Sequence, residues 1–270
     1  MLVLLLVSFT FWFPSAFKRW THAFRPAKCL VQWPFVPEWE IDPLSPEKES
    51  EIRSVLKEPF SYLNKGAQSY VFLSRDQKYV LKLFRYDCCR MPYGQQLVRN
   101  LRKWVGAREK NFLPTEFKIV KNFTSCKLAY SLAQKQTGVV FISLNPEKCT
   151  LPPITLRDRL GRTHKIDPSQ YRFALQQKAE PFLSTFRAHA NNIQPYFDSY
   201  LALLHDLADI GLVNLDPSMG KNFGFLDGRA IQIDFGNFIY CPEQAQNGIA
   251  PFELSVRKWL KKRIPQTVNQ

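Results

Sequence analysis

The sequence predicts an α+β fold in two lobes, a strand-rich N-terminal lobe followed by a short helix-rich C-terminal lobe. Between residues 60 and 179, short apolar runs of strand-like composition are separated by turn residues. From residue 180 onward the apolar residues recur at helical spacing, as in Tyr196, Tyr200, Leu203, Leu204 and Leu207. We therefore divide the chain into an apolar N-terminal segment (1–20), a proline-rich lead-in (21–59), an N-lobe (60–179) and a C-lobe (180–270).

The elements follow in order from these patterns. Residues 69–74 and 78–84 form one predicted hairpin, and residues 154–158 and 163–167 form another, each around polar turn residues. Single strands are predicted at 139–144 and 171–175, and helices at 95–110 and 122–136. In the C-lobe a helix ends at Gly211, two strands (223–226 and 230–233) flank Asp227-Gly228, and a basic helix covers 251–263.

Composition restricts the function classes. With 270 residues, 45% hydrophobic and 22% charged, the chain is long and apolar enough for a sizeable core, which excludes global disorder. The net charge of +14 favours an anionic partner: nucleic acid, a phosphate-bearing small molecule or an anionic membrane surface. Residues 82–121 carry ten basic residues against three acidic ones, which is also the pattern of a solvated helix face.

The N-terminal segment is apolar from Leu2 to Phe13, and Lys18 and Arg19 follow it. This run is shorter than the roughly 20 residues that span a bilayer. Three interpretations stay open: a short membrane-associating anchor, a buried or misassigned extension, and a cleaved signal. The six cysteines show no C-x-x-C spacing, which favours a reducing, cytoplasmic environment, with the N-terminal segment as a contact to the inner face of a membrane.

The most informative stretch runs from Asn214 to Gly236. Asp216 lies in a loop, Asn222 opens a short apolar strand, and a second strand delivers Asp234 just before Phe235 and Gly236. A strand-turn-strand of this kind places Asp216, Asn222 and Asp234 around one mouth. Two carboxylates and a carboxamide form an oxygen-donor site suited to Mg²⁺ with nucleotide phosphates, although an ordinary turn and strand exit would carry the same residues.

In these residues the sequence resembles the protein-kinase-like superfamily, which includes aminoglycoside and choline phosphotransferases and lipopolysaccharide-core sugar kinases. The resemblance implies a bilobal protein-kinase-like fold, with Asp216 as the catalytic base and Asn222 and Asp234 as metal ligands. The chain departs from the pattern at Asn214, where the family has His or Tyr, and in the six-residue step from Asp216 to Asn222, where five is usual. Only 34 residues follow Gly236, which is closer to compact small-molecule or atypical bacterial kinases.

The N-lobe offers a matching phosphate site. The stretch around Gly66 and Ser69 resembles a degraded glycine-rich loop, Val71 stands where the family covers the adenine, and Lys82 follows eleven residues later on an apolar strand. The resemblance implies that Gly66, Ser69, Val71 and Lys82 bind ATP. A plain β-turn and an outward edge lysine are the alternatives. Glu109 and Glu116 are the candidates for the glutamate that pairs with Lys82 in the family.

We therefore expect an ATP- and Mg²⁺-dependent phosphotransferase acting on an unidentified hydroxyl-bearing acceptor. The alternative is a catalytically inert kinase-like binding or scaffold module, which the departures at Asn214 and in the glycine-rich loop favour. Nucleic-acid binding through residues 82–121 ranks third, because no nucleic-acid-binding motif accompanies the charge.

Overall fold

A computed structural model describes residues 21–32, 34–86, 115–216 and 218–263. The chain forms two compact units. The first takes its residues from 1–37, 42–112 and 143–174, and the second from 38–41, 113–142 and 175–270. In chain order the helices and strands are α1 (Pro46–Lys57), β1 (Phe60–Lys65), β2 (Ser69–Ser74), β3 (Tyr79–Phe84), α2 (Thr115–Leu132), α3 (Gln134–Thr137), β4 (Val139–Ser143), β5 (Ile154–Arg157), β6 (Thr163–Ile166), β7 (Phe173–Gln177), β8 (Glu180–Pro181), α4 (Phe182–Ala188), α5 (Gln194–Asp209), β9 (Leu212–Asn214), α6 (Met219–Asn222), β10 (Phe223–Leu226), β11 (Arg229–Gln232), β12 (Phe238–Tyr240) and α7 (Pro242–Arg263).

These elements confirm the α+β class. The large sheet has the strand order β4-β7-β3-β2-β1-β5-β6, and the unit boundaries after Ile142 and Ala174 fall inside β4 and β7. Both predicted hairpins of this sheet are present: β2 pairs antiparallel with β3, Ser69 opposite Phe84, and β5 pairs antiparallel with β6, Ile154 opposite Ile166. The predicted strands thus lie within about two residues of the observed ones, whereas β1, β8, β9 and β12 were not predicted.

The lead-in differs from the extended segment that its prolines predict, because it contains helix α1. Ser45 caps this helix by accepting a hydrogen bond from the Lys48 N–H, and Pro46 occupies the first helical position, where its missing N–H costs nothing. Ile52 and Leu56, on the inner face of the helix, are fully buried. The helix is thus set by a cap and an apolar face, two signals that outweigh the proline content of the segment.

The first unit buries the permanent cation of Arg172. The Arg172 side chain is fully buried, and its guanidinium donates to the carbonyls of Leu144 and Pro34 and to the hydroxyl of Tyr86. Carbonyl and hydroxyl oxygens are good acceptors for the donors of a buried guanidinium. Arg172 therefore ties the lead-in residue Pro34 to the body of this unit.

The second unit contains the helices and the hairpin that carry the candidate site. The predicted apolar stripe of α5 is buried at Tyr200, Leu203 and Leu207, and the chain turns at Gly211 with a φ of +74°. The hairpin β10–β11 is confirmed, and both Asp227 and Gly228 at its turn adopt left-handed backbone angles. A Cβ on Gly224 would lie 2.5 Å from the Glu180 carbonyl oxygen, so β10 approaches β8 through a residue without a side chain.

Three elements differ in their boundaries from the sequence prediction. The helix predicted over 122–136 begins earlier, at Thr115, and ends at Leu132, with the short helix α3 after it. Helix α7 begins at Pro242, nine residues before the predicted start, because proline suits the first helical turn and Ala245 buries against the unit. Asn222 ends the short helix α6 instead of opening the following strand. The predicted helix at 95–110 and the apolar segment 1–20 lie outside the described residues.

In the described residues no helix is both long and apolar enough to cross a membrane. Among the cysteines that the structure describes, Cys149 and Cys241 carry free thiols.

Candidate functional site

The loop between β9 and β10 holds Asp216 by local hydrogen bonds. The Asp216 N–H donates to Asn214 Oδ1 at 2.9 Å, an Asx turn that fixes the backbone as it leaves β9. The chain then enters α6, whose closing bond joins the Asn222 N–H to the Ser218 carbonyl at 2.9 Å. Asp216 itself is exposed at the surface of the unit.

Asn222 is hydrogen-bonded to the main chains of Asp216 and Asp234. Its side chain is buried, and Nδ2 donates to the Asp216 carbonyl at 2.7 Å. Its own carbonyl accepts the N–H groups of Ile233 at 2.8 Å and Asp234 at 3.1 Å. The structure therefore links the main chains of Asp216 and Asp234 through one buried asparagine.

Asp234 follows β11 with its carboxylate exposed. Its Oδ1 accepts the Gly236 N–H at 3.2 Å, while its carbonyl accepts Gln232 Nε2 at 2.8 Å. These bonds fix the backbone on both sides of the carboxylate. The position of the other carboxylate oxygen, Oδ2, is restricted because the main chain of Asp234 is held in place.

The oxygen donors fit a hard divalent cation. Because Asn222 Nδ2 is used on Asp216, its Oδ1 is the end of the amide that can act as a ligand. The carboxylate of Asp234 supplies a second oxygen, and protein sites for Mg²⁺ commonly offer only one or two carboxylates beside phosphate and water. In the part of the chain that the structure describes, no group of three or more His, Cys, Asp and Glu side chains could hold a metal.

In the first unit, the structure places Gly66 and Ser69 in one tight turn between β1 and β2. The Gly66 N–H donates to the Ser69 carbonyl at 2.9 Å. A Cβ on Gly66 would lie 3.6 Å from that carbonyl oxygen, an ordinary contact, so the turn itself tolerates alanine. Any need for glycine here would come from a ligand close to the backbone.

Val71 and Lys82 are directly opposite each other on β2 and β3. Paired residues project to the same face of a sheet, and both side chains are half-buried. The four N-lobe residues that the resemblance assigns to ATP thus lie on two consecutive hairpins, with Gly66 and Ser69 at the β1–β2 turn and Val71 and Lys82 on the β2–β3 pair. Of the candidate partners of Lys82, Glu109 lies outside the described residues, and the Glu116 side chain is likewise not described.

Two further residues support the site and were not predicted. Ser125 on α2 is fully buried; its hydroxyl donates to the Phe235 carbonyl and accepts the Phe238 N–H, both at 2.5 Å. Gln232 on β11 is fully buried and holds Asp234 as described above. A glutamine inside the apolar run 230–233 is a signal that could have identified Gln232, whereas a serine inside a helix carries no such signal.

No protein-family model matches the sequence, and no curated protein matches it either. Among solved structures, the chain is similar to WbdD, with a TM-score of 0.38, 18% identity and coverage of 73% of this chain and 37% of that chain. A second structure, of the bifunctional kinase-methyltransferase WbdD, gives a TM-score of 0.36, 19% identity and coverage of 71% and 34%. The complex of Rv3197 with erythromycin from Mycobacterium tuberculosis gives a TM-score of 0.32, 16% identity and coverage of 80% and 60%. The chain spans less than two thirds of each of these proteins.

Proposed function

We propose that the chain is an atypical kinase, a phosphotransferase that uses ATP and Mg²⁺ to phosphorylate a hydroxyl-bearing acceptor. The observation that carries the proposal is the arrangement at Asn222, which holds Asp216 by its side chain and Asp234 by its carbonyl. Phosphoryl transfer depends mainly on positioning the reactants and neutralising charge. A fixed pair of acidic residues beside a buried amide could position the acceptor and hold a cation.

In this proposal Asp216 orients the acceptor hydroxyl and accepts its proton. Asn222 Oδ1 and the Asp234 carboxylate would hold Mg²⁺, whose charge would offset that of the phosphates. In the first unit, Lys82 and the Gly66–Ser69 turn would bind the phosphates, with Val71 against the adenine. Asn214 replaces the family's His or Tyr, and here it holds the Asp216 backbone through Oδ1.

The net charge of +14 supports an acceptor that is itself anionic or that is presented at an anionic membrane surface. A cytoplasmic location suits the free thiols of Cys149 and Cys241.

The test is Mg²⁺-dependent binding of ATP, measured by thermal shift and by calorimetry. Asp234→Asn removes one metal ligand, and Asp227→Asn is its matched control because Asp227 lies exposed in the hairpin turn, where asparagine tolerates the left-handed angle. Lys82→Ala removes the phosphate contact, and Lys78→Ala, exposed at the start of the same strand, is the control.

We expect Mg²⁺-ATP to raise the melting temperature of the parent protein and of both controls. The affinity for Mg²⁺-ATP should fall at least tenfold in Asp234→Asn and in Lys82→Ala. Absence of nucleotide binding in the parent protein would refute the proposal. Binding without phosphate transfer to a panel of sugar, lipid and protein hydroxyls would instead identify an inert kinase-like module.

A further inference from the structure

Strand β6 (Thr163–Ile166) lies at one end of the large sheet. Among the described helices and strands, β5 is the one against which β6 packs extensively, through antiparallel pairing that joins Arg157 to Thr163 and Ile154 to Ile166. The opposite side of β6 is therefore an open edge in the described part of the sheet. An open edge offers main-chain N–H and C=O groups that a strand from another chain can use.

The turn of the β5–β6 hairpin determines which main-chain groups point away from β5. The Asp158 N–H donates to the Arg162 carbonyl at 2.9 Å, so these two residues form a hydrogen-bonded pair. Hydrogen-bonded pairs alternate along an antiparallel ladder, which assigns His164, two residues further on, to bonds with β5. Thr163 and Lys165 therefore direct their N–H and C=O groups toward the open edge. In the part of the chain that the structure describes, these four groups have no hydrogen-bond partner.

The same hairpin carries an excess of positive charge. Four of its basic side chains are exposed: Arg157, Arg159, Arg162 and Lys165. The single acidic residue between 157 and 165 is Asp158, whose Oδ2 accepts Arg162 Nε at 2.8 Å. Among the described residues, the other three cations form no ion pair. Asp167, which follows β6, accepts the Ser169 N–H at 2.9 Å and so caps the next turn.

The hairpin is held in shape by its own turn. The Asp158 carboxylate accepts the Leu160 N–H at 2.9 Å and the Arg162 N–H at 3.0 Å, and its Oδ2 lies 3.0 Å from His164 Nε2. The Asp158 side chain is only 3% exposed, so its charge acts inside the turn and not at the surface of the hairpin. A preformed edge loses little conformational freedom when another strand pairs with it.

The charge of the hairpin selects the strand that can pair with this edge. Arg157 lies opposite Thr163, and Lys165 is two residues further along, so the three side chains share the exposed face. Lysine on an edge strand opposes pairing with a second copy of the same chain, because like charges would face each other. An acidic strand would instead place carboxylates beside Arg157 and Lys165. Since side chains alternate along a strand, its Asp or Glu residues would occupy every second position.

We propose that β6 is a docking edge for an acidic, extended segment of a partner protein. The segment adds to the sheet as a further strand, with its main chain bonded to Thr163 and Lys165 and its carboxylates beside the cations of the hairpin. This docking is independent of whether the chain transfers phosphate, because none of these residues belongs to the proposed ATP and Mg²⁺ positions.

The probe is the capped, dye-labelled peptide Thr-Glu-Val-Glu-Val-Glu-Thr, whose binding to the full chain is measured by fluorescence anisotropy at low ionic strength. One control peptide has Lys in place of each Glu, and a second keeps the charges but has its main-chain amides N-methylated. We expect the Glu peptide to bind at least about tenfold more tightly than either control. Equal binding of the N-methylated peptide would show attraction by charge alone, as for any polyanion, and would overturn strand addition. Absence of binding by the Glu peptide would also refute the proposal.

Two variants test whether the peptide lies on β6. Thr163→Pro removes one N–H at the open edge and leaves the ladder with β5 intact, since an edge strand tolerates proline where its nitrogen faces solvent. Lys165→Glu reverses one charge, and Lys78→Glu, exposed in the same unit, is its matched control. We expect about tenfold weaker binding in both β6 variants and parent-like binding in the control. Lys165→Glu is a surface change and decides the question even where Thr163→Pro impairs folding; parent-like binding in Lys165→Glu would overturn the proposal.

Discussion

Asn222 donates a 2.7 Å hydrogen bond from its side-chain amide to the main-chain carbonyl of Asp216. The bond spans six residues, one more than the spacing in the family that the motif resembles. Helix α6 accounts for the extra residue, since its single turn from Met219 to Asn222 shortens the path between the two residues. The longer loop therefore still returns the Asn222 side chain to the main chain of Asp216.

The bond itself can be tested with Asn222→Asp, which keeps the size of the side chain and replaces the donor by an acceptor. A carboxylate oxygen facing the Asp216 carbonyl loses the hydrogen bond and adds repulsion at a buried position. We expect the free energy of unfolding to fall by about 1–3 kcal/mol, as measured by urea denaturation. Asn191→Asp, at an exposed position, is the control and should change stability little. Equal stability of both variants would show that the bond contributes nothing.

Ser125 provides a second test, because it fixes the segment that follows Asp234. Ser125→Ala leaves the Phe235 carbonyl and the Phe238 N–H without their buried partner. We expect a loss of about 2–4 kcal/mol of unfolding free energy, the cost of two unsatisfied buried groups at about 1–2 kcal/mol each. Ser131→Ala, exposed on the same helix, is the matched control and should be neutral or slightly stabilising, since alanine favours helix. A loss no larger than that of the control would contradict the role assigned to Ser125.

These residues show which features of the fold and the candidate site could be predicted from the sequence and which could not. Apolar alternation and turn residues predicted the β2–β3, β5–β6 and β10–β11 hairpins, because those signals are local. The same local reasoning predicted that Asp216, Asn222 and Asp234 lie close together. Ser125 was missed because its partners lie 110 and 113 residues further along the chain, and nothing in its neighbourhood encodes that pairing. Helix α1 was missed although its cap was visible, because the surrounding prolines were given more weight than Ser45 and Pro46.

Tyr200 carries a hydroxyl that the fold does not use. The side chain is fully buried between Phe182 and Phe223, its hydroxyl has no hydrogen-bond partner, and burial raises the pKa of Tyr200. Tyr200→Phe removes a buried unsatisfied group while keeping the ring, so we expect stability to be unchanged or higher by up to about 1 kcal/mol. Tyr70→Phe is the comparison, because the Tyr70 hydroxyl donates to the Ala23 carbonyl at 3.2 Å, and its loss should cost about 1 kcal/mol. Thermal unfolding of the two variants gives the answer, and a marked destabilisation of Tyr200→Phe would reveal a partner for that hydroxyl.

Asp158 makes the first unit sensitive to acid. Burial by itself raises the pKa of this carboxyl, but hydrogen bonds from His164, from the backbone and side chain of Arg162 and from the Leu160 N–H together lower the pKa below its ordinary value of 3.8. A carboxylate whose pKa is lower in the folded state contributes stability above its unfolded pKa, and loses it as the pH falls through the folded pKa. We therefore expect unfolding free energy to decrease from about pH 4 downward, and Asp158→Asn to be destabilised at pH 7 with a smaller acid-dependent decrease. The measurement is urea denaturation between pH 3 and pH 7. Asp206→Asn, an exposed change on α5, is the control and should keep the pH profile of the parent protein. A parent-like profile in Asp158→Asn would show that other carboxylates govern the acid sensitivity.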